Sequence, residues 1–160
     1  MRQLAAALMA LTFALPAAAA RLDDSLSPRQ NIDILIDWQY HNNLENLDEQ
    51  QLNALASTAS GIEVRLNTAQ YMGRQARIYL GLPLVIRGLD DPAALRLSWI
   101  THGVFSDGTA TPGTRALLFD GIISSEVMID ILDFTIDVDG RSFNEPINFE
   151  PVYEIEPVTP

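Results

Sequence analysis

Short runs in which every second residue is apolar, set apart by glycine, proline, asparagine and aspartate, constrain this chain more than any other feature. Ile62, Val64 and Leu66 alternate with Glu63, Arg65 and Asn67, and Ile78, Leu80 and Leu82 alternate with Arg77, Tyr79 and Gly81. Leu132, Phe134, Ile136 and Val138 likewise alternate with Asp133, Thr135 and Asp137. A period of two is that of a strand with one face in a core and the other in water. The most regular run is Asn31 to Tyr40, where Ile32, Ile34, Ile36, Trp38 and Tyr40 share one parity, Asp33, Asp37 and Gln39 the other, and only Leu35 is out of step.

The stretch from Ala94 to Ile123 reads as the centre of a sheet. Leu95, Leu97, Trp99 and Phe105 lie on one parity, with Arg96, Ser98 and His102 on the other. Ser106-Asp107-Gly108 and Thr111-Pro112-Gly113 supply turn residues, and Ala116 to Ile123 returns as a nearly continuous apolar run. Such a run suits a strand covered on both faces, so these two segments are expected to pair as a long hairpin. A second hairpin is expected at Asp139-Gly140, a dipeptide suited to a two-residue turn with positive φ at both positions. Its return strand would run from Arg141 to Phe149. Pro146, Pro151, Pro157 and Pro160 cannot donate ladder hydrogen bonds, so the last strands are expected at a guarded edge. Pro83 should end or bend the strand before it. One helix is expected over Leu44 to Ser57, where Leu47, Leu52 and Leu55 are spaced for one face.

About seven or eight short strands with turn signals between them point to an all-β fold, an antiparallel β-sandwich of immunoglobulin-like architecture with one short helix near the N-terminus of the mature chain. Trp99 would fill the place of the buried tryptophan in such a sandwich. The flanking cysteines of a true immunoglobulin domain are missing, because the chain has none. An outer-membrane barrel is disfavoured by aspartates on the strands, by strands shorter than the roughly 10 residues a barrel needs, and by the proline-rich end.

Met1-Arg2-Gln3, the apolar run from Leu4 to Leu15 and the alanines after Pro16 form the three regions of a secretory signal peptide, with cleavage expected after Ala20 at Ala18-Ala19-Ala20. Residues 1–20 are therefore read as signal peptide, 21–30 as a flexible leader and 31–160 as a single domain. Removing the first 20 of 160 residues leaves 140, and losing Arg2 takes the formal charge from −11 to −12. All ten basic residues are arginine. That balance disfavours nucleic acid and anionic membrane surfaces as partners, since no basic patch is available to meet polyanions. The apolar run is too short to span a bilayer, so the mature chain is expected to be periplasmic or secreted, with no transmembrane segment. The absence of cysteine excludes disulfides, thiolate metal sites and a lipid anchor on cysteine.

Candidate chemistry is sparse. Asp130, Asp133, Asp137 and Asp139 before Gly140 suggest calcium, but an EF-hand loop with Gly140 at its sixth position would begin at Thr135 and end at Pro146, where carboxylates are required. The cluster is read instead as a solvated strand face and a turn. His41 and His102 have no metal-ligand spacing, and none of Ser98, Ser106 and Ser124 stands in a nucleophile elbow. Tyr71, Tyr79, Trp99 and Tyr153 are candidates to line a ligand site, though a chain with so few aromatics needs most of them in its core. No catalytic, cofactor-binding or metal-ligating residue is assigned, and no cofactor is expected. The expected function is an exported, noncatalytic interaction or assembly module of the bacterial cell envelope, contacting other proteins or a second copy of itself. The alternative is a small secreted hydrolase using His102, or a ligand-binding β domain. A concave pocket joining His102 to an aspartate and a serine would favour the enzyme.

Overall fold

The computed structural model describes residues 19–28, 39–40 and 54–158, and they are mostly strand. Numbered in chain order, the strands are β1 (Ala20–Arg21), β2 (Gln39–Tyr40), β3 (Ala54–Asn67), β4 (Gln75–Gly81), β5 (Arg87–Leu89), β6 (Leu95–Thr101), β7 (Gly108–Ala110), β8 (Arg115–Ile122), β9 (Val127–Asp139), β10 (Phe143–Asn148) and β11 (Val152–Pro157). They form two open antiparallel sheets, β1-β11-β4-β8 and β2-β3-β9-β6-β7, and a small β10-β5 pair. Two single-turn 3-10 helices, Ala69–Tyr71 and Pro92–Ala94, are the only helical elements among the described residues.

The alternation does what a period of two demands. Ala76, Ile78 and Leu80 of β4, Leu95, Leu97 and Trp99 of β6, and Leu132, Phe134, Ile136 and Val138 of β9 are all buried, and they belong to a single apolar core drawn from both sheets. The spine is the β3–β9 pair, in register from Ala54 opposite Asp139 to Asn67 opposite Val127. The register breaks between Ala59 and Ile62, where Gly61 adopts a φ of +73°. That conformation carries no steric cost for glycine and lets the strand bulge without losing its inward face.

Several expectations are corrected. The stretch from Ala94 to Ile123 is not one hairpin: β6 pairs with β7 and β9, while β8 pairs with β4 in the other sheet. The chain turns first at Ser106 to Gly108, spends three residues in β7, then crosses between sheets through the turn closed by Thr114 N–H and the Thr111 carbonyl. β8 is not covered on both faces. It is the last strand of its sheet, with Leu118 buried but Leu117 and Ile122 exposed.

Asp139-Gly140 does not make a two-residue hairpin either. Asp139 has no positive φ, and its side chain and carbonyl accept from Arg141 N and Ser142 N, which turns the chain away from β9. β10 pairs with β5 instead, with its register shifted between Phe143 and Asn148, the span that contains Pro146. Nor is the C-terminal strand a guarded edge, because β11 lies between β1 and β4 and buries Tyr153 and Ile155.

The expected helix over Leu44 to Ser57 falls on residues 44–53, outside the described residues, and on Ala54 to Ser57, which are strand. There the pairing with Val138, Asp137 and Ile136 of β9 overrides the local helical spacing. Of the run from Asn31 to Tyr40 only Gln39–Tyr40 is described, and it ends the five-stranded sheet against Ala56 and Leu55. The segment expected to be a flexible leader is held: β1 pairs with β11, Leu22 is 2% exposed, and Ser27 Oγ accepts from Arg65 N at 2.8 Å. A single apolar side chain, Leu22, supplies the reason, since the core has a place for it.

Candidate functional site

His102 lies just beyond β6 on the outer face of the five-stranded sheet. Its backbone N–H donates to the Ile131 carbonyl, so it continues the β6–β9 ladder. Its ring Nε2 stands 2.8 Å from Asp133 Oδ2. Asp133 Oδ1 accepts from Gly61 N at 2.7 Å, so one carboxylate ties the bulge of β3 to the histidine across β9. The Gly61 N–H, followed by His102, holds the Asp133 carboxyl below the usual carboxylate range, with a smaller contribution from Ser60.

This arrangement joins a histidine to an aspartate, but it is not that of a serine hydrolase. For a serine nucleophile the imidazole must stand between hydroxyl and carboxylate, to take the proton from one while being oriented by the other. Here the carboxylate lies between the Gly61 N–H and the imidazole, and half of the His102 side chain is exposed (51%). The serines singled out from the sequence lie elsewhere. Ser98 Oγ faces Thr109 Oγ1, Ser106 is used through its backbone, and Ser124 is exposed between β8 and β9. His41 is outside the described residues. A depression of about 370 Å³ does exist, but it opens between Leu55, Leu95, Arg96 and Asp137, at the far end of β6 and β9 from His102.

The acidic cluster divides across the sheet. Asp130 shares the inward parity of β9 and is 4% exposed; its Oδ2 accepts from Phe105 N and its Oδ1 from Ile131 N, each at 2.7 Å. Asp133 and Asp137 face outward, and Asp139 is taken up by Arg141, whose guanidinium brings its carboxyl down to about 2. Strand geometry thus separates these carboxylates, and no group of three metal-ligating side chains occurs among the described residues. Three of the four candidate aromatics, Tyr71, Trp99 and Tyr153, are buried in the core. Trp99 Nε1 donates to the Ser106 carbonyl at 3.0 Å. The fourth, Tyr79, lies on the outer face of the four-stranded sheet beneath Arg115.

What sequence reading missed is the company His102 keeps. Registers place Ile100 opposite Asp133, Ile131 opposite Glu63, and Ile129 opposite Arg65, all on the outer face. Ile100, Ile129 and Ile131 are 59%, 50% and 44% exposed. Three isoleucines around an exposed His–Asp pair, with Glu63 and Arg65 at the rim, form a small apolar field with a polar border. Ile129 and Ile131 were visible in the sequence as apolar residues on the polar parity of β9, a break in the alternation that marks an outward hydrophobe. No protein-family model matches the chain, and neither a curated protein nor a solved structure matches it.

Proposed function

We propose that the chain is an exported, noncatalytic β-sandwich module that acts by contacting another protein at the cell envelope. The observation that carries this reading is the outer face of β6 and β9, where Ile100, Ile129 and Ile131 stand exposed around the His102–Asp133 pair. Exposed apolar side chains grouped within a polar border are the makings of a protein contact, whereas a hydrolytic centre wants a recessed site with the imidazole next to the nucleophile. Export is the other half of the reading and rests on the charged start, apolar run and alanine-rich end of residues 1–20.

The test is photocrosslinking in cells of the native host. A photoreactive residue at Ile100 or Ile131 should give a discrete heavier adduct in the envelope fraction, and the same residue at Leu117, on the other sheet, should not. Ile129→Glu should remove the adduct while leaving the fold intact by circular dichroism. If no adduct forms at either isoleucine, and the purified protein hydrolyses an ester or peptide in a way that His102→Ala abolishes, the hydrolase reading replaces this one.

A further inference from the structure

We infer that the Ala20–Arg21 bond is a processing site gated by folding: it is open to a signal peptidase only before β1 docks, and folding closes it. The inference rests on the export reading above and adds the order of events.

The geometry around the bond is that of a strand already in use. Ala20 lies opposite Ile155 and Arg21 opposite Glu154 in the antiparallel β1–β11 pair. The next residue carries the ladder on, since Leu22 N donates to the Tyr153 carbonyl at 2.8 Å, and its side chain is 2% exposed within the core. Beyond it the chain changes sheets: Asp23 bridges to Asn67, with Asn67 N donating to the Asp23 carbonyl at 2.9 Å. Ser27 then closes the segment on Arg65 through its hydroxyl. Both sides of the bond are therefore held, one by a strand partner and the other by a buried leucine two residues downstream.

A peptidase binds its substrate as an extended strand and must surround several residues on either side of the bond. Hydrolysis breaks the Ala20 C–N bond, the hydroxyl of water going to the Ala20 acyl carbon and a proton to nitrogen, which leaves a carboxylate on Ala20 and an ammonium on Arg21. To reach that carbonyl in the folded domain the enzyme would have to pull Leu22 out of the core and strip β1 from β11. Cutting then proceeds through a locally opened state and is slowed by the population of that state. Processing is therefore efficient only before docking. After the cut Ala20 leaves with the signal peptide, while Arg21 stays opposite Glu154, Leu22 seats in the core, and the Asp23–Asn67 bridge ties the segment to β3.

The experiment compares three substrates with purified signal peptidase in detergent micelles: the folded full-length chain, the same chain unfolded in urea and diluted into the assay, and a synthetic peptide of residues 10–26. Cleavage of the peptide and of the freshly diluted chain after Ala20, with the folded chain cut more than about tenfold more slowly, is the expected result. Leu22→Ala should speed cutting of the folded chain towards that of the peptide. Asp23→Ala is the second variant: it leaves the backbone bridge to Asn67 but removes the carboxylate that accepts from Ser25 N at 2.9 Å, which loosens the same segment without opening a cavity and should speed cutting as well. Equal rates for folded and unfolded chain, or no acceleration in either variant while the fold is retained, overturn the gating. Failure of the peptide itself to be cut overturns the signal-peptide reading instead.

Discussion

The guanidinium of Arg115 lies 4.3 Å above the centre of the Tyr79 ring and reaches across β4 to Glu154 at 2.8 Å and Glu156 at 2.6 Å on β11. One arginine on β8 thus clamps three strands of the four-stranded sheet from its outer face. Arg77 and Asp120 make a second contact beside it at 3.0 Å. These pairs are exposed, so the ring contact and the two carboxylates together are worth only about 1 kcal/mol. Arg115→Ala should lower the free energy of unfolding in urea by that amount at low salt, with most of the difference gone in molar sodium chloride. Equal stability of variant and parent at low salt would show that the clamp contributes nothing.

Trp99 and Gly108 are a matched pair. A Cβ at Gly108 would stand 2.5 Å from the Trp99 ring, so the β6–β7 pair closes on the indole only because position 108 has no side chain. Gly108→Ala should destabilise by about 1–3 kcal/mol through overpacking, and Trp99→Ala by about 3–5 kcal/mol through the cavity and the lost bond to Ser106. In denaturation of the double variant the Gly108→Ala cost should largely vanish. Additive costs would place the strain elsewhere.

Asp130 holds the loop after β6 in place from the core side. Its carboxylate accepts from Phe105 N, and a Cβ at Gly103 would come within 2.7 Å of Oδ1. Asp130→Ala strands a buried N–H and should cost about 1–3 kcal/mol. Hydrogen exchange gives the sharper reading, because the Phe105 amide should lose protection well before the amides of β9. Uniform loss across the sheet would show that Asp130 supports the whole fold and not this loop.

Acid should weaken the protein by a predictable route. Asp139 is lowered to about 2 by Arg141, and Asp133 is lowered chiefly by the Gly61 N–H, against a usual value of 3.8. A lowered folded value means the unfolded chain binds more protons in that window, so stability is full above about pH 4 and is lost as pH falls through the folded values. Both groups are at the surface, so each effect is small. Asp139→Asn should flatten the decline between about pH 4 and 2 in a series of melting temperatures. An unchanged slope would assign acid sensitivity to other carboxylates.

The sequence by itself determined which face of β3, β4, β6 and β9 enters the core. Val64 and Leu66, Ile78 and Leu80, Leu97 and Trp99, and the even-numbered apolar residues of β9 are buried as their parity required, because a strand offers only two faces and one of them must leave water. It also placed His102 on the exposed parity and ended β4 before Pro83. Tertiary structure alone decided which strands are neighbours. Parity says nothing about pairing, so β6 and β8, separated in sequence only by short β7 and its turns and both apolar, went to different sheets, and Ala54 to Ser57 left their helical spacing for the edge of β9. The same limit hid the site, since the bond from Asp133 to both Gly61 and His102 spans three strands whose order only long-range pairing fixes. Asp139-Gly140 shows the local version: an aspartate that caps its own turn competes with the hairpin its neighbour invites, and the partner waiting on β5 settles the outcome.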